Sequence, residues 1–279
     1  MSCHVAVDID SDRQPCNVRG HGKHVYSQCG GPAAKALRAD AERIDALEQL
    51  ALKLRVERIL IVPARLPQQR LLCQQSRFVK GAAEGCFRAL MDVQCFDLKA
   101  AASIRDNPNH CEVGAAQYAS AGAKSSIMDS LDVAVLGATE IDTDFNVNVH
   151  TDSSGRIMGG SGGHSDAAAG SKLSIITAPL FRGRLPIVRD RVTCISTPGK
   201  DIDVLVTQAG IAVNPRREEL RERLTQAGMQ VLEITQLRAL AEQITGTPAP
   251  LPPAGRVIAK VIGRDGTLLD TIGERKGEE

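Results

Sequence analysis

The chain has no tryptophan, and two tyrosines with five phenylalanines hold its aromatic share to 3%. Proteins that track single-stranded nucleic acid stack bases on exposed rings, so this scarcity argues against that class. No apolar run nears the ~20 residues that cross a bilayer, and the N-terminus lacks a basic-then-apolar leader pattern. A cytoplasmic protein is the expectation. The eight cysteines include no C-x-x-C pair and in that compartment stay reduced. Cys16, His21, His24 and Cys29 form a symmetric C-x4-H-x2-H-x4-C group, but that spacing matches no standard zinc pattern, and no metal is expected. The named phosphate loops are missing too. Gly163 is followed by His164 where a Walker loop needs Lys-Ser/Thr, and the dinucleotide G-x-G-x-x-G spacing fails.

What is present is a profile of 43% hydrophobic and 24% charged residues over 279 positions, enough for one large globular domain or two ordinary ones. The net charge of +1 is unevenly spread. Residues 1–83 carry 13 Lys/Arg against 8 Asp/Glu and residues 84–279 carry 21 against 25, so the two parts read as different kinds of sequence. The first thirty-odd residues mix Gly, Pro, Ser and His without a period and read as loop or disorder. Leu37, Ala41, Ile44, Leu47, Ala51 and Leu54 then recur at spacings of three and four, an amphipathic helix within 34–61. Its apolar face needs a partner in this chain or another, and a coiled-coil adaptor built on it is one reading of the chain.

From about Glu84 short apolar runs alternate with helical patterns. The runs at 92–96, 131–138, 172–178, 191–196, 203–208 and 230–234 are mostly bounded by Gly, Pro or Asp, as buried strands are. "NPRREELRERLTQAG" predicts a helix with Pro215 near its start and Gly228 past its end. Hairpins are expected about 151–155 and about Asp265 and Gly266, the second reached through a Pro-rich connector at 246–255. The pattern is that of an α/β fold with an open, mostly parallel sheet, flanking helices and hairpins.

One loop within this pattern points to chemistry. "MGGSGGHSD" at 158–166 crowds four glycines before an Ala-rich stretch. Glycines gather where backbone amides approach a ligand closely or where φ is positive. Ser165 and Asp166 are N-cap candidates for the helix that follows, which would aim amides at an anion. A flexible hairpin exit is the alternative.

"LDVAVLGATEIDTDFNVNVHTDSSGRIMGGSGGHSD", "RGRLPIVRD" and "TPGKDIDVLVTQAGIAVNP" together closely resemble the C-terminal part of the citrate lyase alpha subunit family, the citrate CoA-transferases, from about Glu84 to near the C-terminus. The resemblance implies a CoA-transferase type of α/β sheet and exchange of acetate for citrate on an acyl-carrier thioester. It implies no directly bound cofactor, the CoA-like prosthetic group being carried by a partner. The partners it implies are the acyl-carrier (gamma) and lyase (beta) subunits of a hetero-oligomer. By the same resemblance Gly162 and Gly163 form an oxyanion hole, since acyl transfer builds negative charge on a carbonyl oxygen.

His164 then either donates to that oxyanion, acts as an acid toward the leaving thiolate, or makes a helix-entry hydrogen bond. Arg182 and Arg184 offer planar forks for carboxylates or carrier phosphates, or are surface arginines. Glu140, Asp142, Asp144, Asn146 and Asn148 follow the Gly-Ala that closes a strand, where open α/β sheets place ligand contacts. Of these Glu140, Asp144, Asn146 and Asn148 are expected at the substrate or carrier. The nucleophilic Glu of thioester-forming relatives has no counterpart in "DVQCFDL", so direct attack by citrate is implied, a mechanism that depends on positioning. The family's chain is roughly twice as long and carries an N-terminal transferase domain that 1–83 does not resemble. A truncated or mis-joined frame, leaving a catalytically incompetent half-domain that only binds partners, is the competing expectation.

Overall fold

The computed structural model describes residues 5–9, 58–62, 79, 80, 83, 87–95, 98–120, 126–251 and 253–275. Strands β1 (Val5–Ile9), β2 (Arg58–Val62), β3 (Phe87–Asp92), β4 (His110–Glu112), β5 (Val133–Gly137), β8 (Leu173–Thr177), β12 (Val204–Thr207), β13 (Gly210–Val213) and β14 (Val231–Leu232) make one sheet. Its order is β14-β13-β12-β8-β5-β2-β1-β3-β4. The pairs β2·β5, β5·β8, β8·β12, β3·β4 and β13·β14 are parallel, and β1 with both neighbours and β12·β13 are antiparallel. The expected open, mostly parallel sheet is thus present.

The centre of the sheet shows why these runs are strands. β5 (VAVLG) and β12 (VLVT) are buried at every position, as strands covered on both faces must be. Period-two alternation sends Ala134, Leu136, Ile176 and Leu205 to one side, under Ala167 and Ala168 of α3 (His164–Gly170) and under Ile234, Leu237 and Ala241 of α5 (Ile234–Thr245). Val133, Val135, Ile175, Val204 and Val206 face the other side, against Leu220 and Leu224 of α4 (Glu218–Gln226). The remaining described helices are α1 (Leu98–Asp106) and α2 (Ala115–Ala119).

A small sheet sits beyond the C-terminal end of β5. β6 (Glu140–Asp142) pairs antiparallel with β7 (Val147–Asn148) and parallel with β11 (Val188–Arg189). Between them lies an exposed hairpin of β9 (Phe181–Arg182) and β10 (Leu185–Pro186) turning at Gly183, whose φ is 61°. β15 (Val257–Ile262) and β16 (Leu268–Gly273) form the expected hairpin about Asp265 and Gly266. Gly228, at φ 76°, ends α4 as expected.

Several expectations need correction. The strand anticipated at 92–96 lies at Phe87–Asp92: its partner β4 stops at Glu112 opposite Asp92, and nothing among the described residues continues the ladder. Residues 191–196 alternate in burial like a strand, yet the amides of Val192, Thr193 and Ile195 donate to the carboxylates of Asp142, Glu140 and Asp270. Side chains there replace a neighbouring strand. The turn at 152–155 exists, but Val147 and Asn148 pair with β6, leaving only a Thr151–Ile157 bridge across it. Residues 58–61, assigned to a helix by pattern, belong to β2, whose Ile-Leu-Ile-Val run favours a strand. The rest of that helix and the Cys16/His21/His24/Cys29 group lie outside the described residues. Val5–Ile9, within the stretch read as loop, is β1.

One glycine seats the turn that leads into β12 against the small sheet. A Cβ on Gly199 would be driven into the Asp144 carbonyl, a backbone group that cannot swing aside. Gly199→Ala is expected to cost ~2–4 kcal/mol of stability, at or above the upper end for overpacking. Urea unfolding measures it, and a midpoint unchanged from wild type contradicts the packing described.

Candidate functional site

Three linked layers lie at the C-terminal end of β5. The innermost is built on Glu140, which is 0% exposed. Its carboxylate accepts from Asn148 Nδ2 (3.0 Å), the Thr193 amide (2.8 Å) and Thr193 Oγ1 (3.2 Å), and pairs with Arg189. Asn148 is equally sealed. Its amide group also donates to Thr151, and its Oδ1 accepts from the amides of His150 (3.1 Å) and Thr151 (3.0 Å). Both residues, expected at substrate or carrier, are closed off from solvent and act as a frame.

The second layer is the turn 142–146. The Asp142 carboxylate accepts from the amides of Asp144 (3.0 Å), Asn146 (2.9 Å) and Val192 (3.3 Å) and from Asn146 Nδ2 (3.2 Å). Burial raises its pKa against these bonds. Asn146 Oδ1 takes the Gly199 amide at 2.9 Å. Phe145, buried, holds the left-handed φ of 64° that non-glycine residues seldom adopt. A cavity of about 420 Å³ opens beside the turn, lined by Asp142, Thr143, Asp144, Asn146, Asp190, Arg191 and Ile195. Asp144 and Asn146 therefore line this cavity, while Glu140 and Asn148 do not.

The glycine run is the third layer, held at each end by a histidine. At its start, His150 Nδ1 meets the Gly159 carbonyl at 3.3 Å, and the Met158 amide donates to the His150 carbonyl at 2.8 Å. At its end, His164 is 2% exposed, with Nε2 on the Gly137 carbonyl and Nδ1 on Thr197 Oγ1, both at 2.8 Å. A carbonyl only accepts, so Nε2 carries the proton and Nδ1 accepts from the threonine hydroxyl. Burial drives the His164 pKa down to about 4, with the neighbouring His150 adding to the effect. At neutral pH the ring is an uncharged anchor whose one N–H is committed. The acid or oxyanion donor expected of it is not what this geometry offers, whereas the helix-entry bond is close to the role it has.

Between the histidines, Gly159 and Gly162 have φ of 150° and 59°, conformations that L side chains strain to reach. The Gly162 N–H donates to nothing among the described residues. Gly163 is the N-cap of α3, so Ser165 and Asp166 lie within its first turn rather than capping it. A Cβ on Gly163 would come 2.5 Å from Cε1 of buried Tyr118. Arg182 and Arg184 lie on the exposed hairpin and make no ion pair among the described residues. Sequence reasoning passed over His150, Arg189 and Thr197. Only His150 left a trace, two residues beyond Asn148 at the end of an alternating run.

The family model "Citrate lyase, alpha subunit (CitF)" matches residues 74–275. The citrate lyase alpha chain of Escherichia coli (strain K12) is 52% identical over 193 residues, covering 69% of this chain and 38% of that one. That of Klebsiella pneumoniae is 49% identical over 196 residues, covering 70% and 39%. A crystal structure from Streptococcus mutans, described as an alfa subunit of citrate lyase in complex with citrate, superposes with a TM-score of 0.69 at 40% identity, over 72% of this chain and 40% of that one. The chain spans about two fifths of the length of these relatives. No helix among the described residues is long and apolar enough to cross a membrane.

Proposed function

Because the chain belongs to the citrate lyase alpha subunit family, we propose that it serves citrate CoA-transfer, exchanging acetate for citrate on an acyl-carrier thioester. A citrate carboxylate attacks the acetyl thioester carbonyl and expels the carrier thiolate, leaving a mixed anhydride. The thiolate then attacks the citryl carbonyl and acetate departs, so the carrier leaves as citryl thioester. Both steps pass through a tetrahedral oxyanion. The observation that carries this reading is the glycine run, whose Gly162 amide is uncommitted and whose two ends are pinned by His150 and His164.

Amides fixed before the reaction stabilise an oxyanion without reorganising, and removal of one such donor costs ~10²- to 10³-fold in comparable sites. Gly162 is the proposed donor, and Gly163 lets the run pass close over Tyr118. His164 positions both. Asp144 and Asn146, at the neighbouring cavity, suit the amides of a carrier arm. Arg182 and Arg184 suit its phosphates. The partners in this reading are the acyl-carrier and lyase subunits, and the CoA-like group belongs to the carrier.

The test compares two substitutions at exposed Gly162. Gly162→Asn keeps the N–H and tolerates φ near +60°, whereas Gly162→Pro loses both. Citryl thioester formed from acetyl thioester and citrate is followed by mass spectrometry. Wild type is expected to turn over, the Asn variant to stay within roughly tenfold of it, and the Pro variant to fall by ~10²-fold or more. Equal rates in all three sink the oxyanion assignment. A folded wild-type chain that binds citrate without turning over supports the reading in which these residues form a binding half of the site.

A further inference from the structure

Resting on the citrate reading of the site, we propose that His150 is a substrate-facing residue that reads the hydroxyl of a hydroxy-polycarboxylate. The ring stands at the head of the glycine run and is fixed by its backbone as much as by its side chain. Its amide donates to Asn148 Oδ1 (3.1 Å) and Ser196 Oγ (3.2 Å), and its carbonyl accepts from Met158. Asn148 is itself clamped to Glu140, which is paired with Arg189, so the imidazole is placed by the buried frame rather than by a mobile loop.

The tautomer follows from the partner. Gly159 offers Nδ1 a carbonyl oxygen, which has no proton to give, so the hydrogen lies on Nδ1. A neutral imidazole holds one N–H, which makes Nε2 a bare acceptor. Nε2 has no partner among the described residues, and the half-buried ring is not sealed from solvent. Along this loop Gly162 offers a donor amide and His150 an acceptor Nε2. A simple polycarboxylate carries acceptors alone and gives an unprotonated Nε2 nothing to bind. Citrate differs from it by one group, its hydroxyl, the only donor on the fully ionised molecule. An analogue without the hydroxyl leaves Nε2 to water, so the discrimination expected at this half-buried ring is that of one hydrogen bond.

The experiment measures binding of citrate and of tricarballylate, the same tricarboxylate without the hydroxyl, to the whole chain by calorimetry. His150→Asn retains an N–H near Nδ1 for the Gly159 carbonyl and has no atom at Nε2. Wild type is expected to prefer citrate by roughly tenfold or more, the scale of one well-placed hydrogen bond. His150→Asn is expected to weaken citrate to the level of tricarballylate and to leave tricarballylate unchanged. A wild type that binds both alike, or a variant that weakens both equally, overturns the hydroxyl reading and leaves the citrate reading standing. A wild type that binds neither overturns both. Should the variant fail to fold, imidazole ¹⁵N shifts of the wild type decide. Citrate is expected to move an unprotonated Nε2 resonance that tricarballylate does not move, and identical spectra with the two ligands overturn the proposal.

Discussion

Glu140→Gln is expected to lower the unfolding free energy by about 3–5 kcal/mol, the usual scale for removing one partner of a buried ion pair. The carboxylate is wholly inaccessible and the Arg189 side chain only 11% exposed, so the arginine left behind has little water to turn to. The loss is not only Coulombic. Four donors from Asn148, Thr193 and Arg189 converge on two oxygens, and an amide at that place turns an NH₂ toward at least one of them. Denaturant unfolding of wild type and variant gives the value directly. Replacing both Glu140 and Arg189 with methionine is expected to recover only the share owed to the stranded arginine charge, because the donors of Asn148 and Thr193 still lose their acceptor. A single variant within 1 kcal/mol of wild type would show that the frame is looser than its hydrogen bonds imply.

The second large effect belongs to His164. His164→Phe fills similar volume but strands the Gly137 carbonyl and the Thr197 hydroxyl in a buried place, for an expected ~2–4 kcal/mol. The effect carries a pH signature. The folded state holds this imidazole at a pKa of about 4 against 6.5 when free, so folding favours the neutral ring. Its contribution is complete above pH 6.5 and is lost as the pH falls from there toward 4, by up to about 3 kcal/mol. Burial raises the pKa values of Asp142, Asp166, Asp201 and Asp203, which therefore bind protons more tightly folded than unfolded and oppose that fall. The comparison with His164→Phe removes their influence. The stability gap between wild type and variant is expected to be widest near pH 7.5 and to narrow steadily to pH 4. A gap independent of pH contradicts a buried neutral imidazole.

The contrast between His164 and His150 shows which parts of the site could be read from the sequence. The glycines and the adjacent histidine stand in one motif, so the loop and its place after a strand were legible. So were β5, β8 and β12, whose unbroken Val/Ile/Leu runs leave no solvent face, and α4, bounded by Pro215 and Gly228. What a histidine does depends on atoms remote in sequence. His164 is taken out of the chemistry by Gly137 and Thr197, 27 and 33 positions away. His150 is freed at one nitrogen because Gly159 takes the other. Residues 191–196 mislead for the same reason. Their burial alternates like a strand's, but their amides are satisfied by carboxylates some 50 to 75 positions distant, which no local pattern announces. The carboxylates of 140–142 followed suit, read as ligand groups from their place after a strand while serving as partners for that segment.

A crystal structure of this chain with citrate decides whether the glycine run between His150 and His164 is the anion site. A citrate oxygen is expected within hydrogen-bonding distance of the Gly162 amide, with the citrate hydroxyl on His150 Nε2 and His164 still bonded to Gly137 and Thr197. Citrate confined to the cavity of Asp142, Asp144 and Asp190 with the glycine run untouched, or a His164 ring turned away from Gly137 toward the ligand, would contradict that assignment.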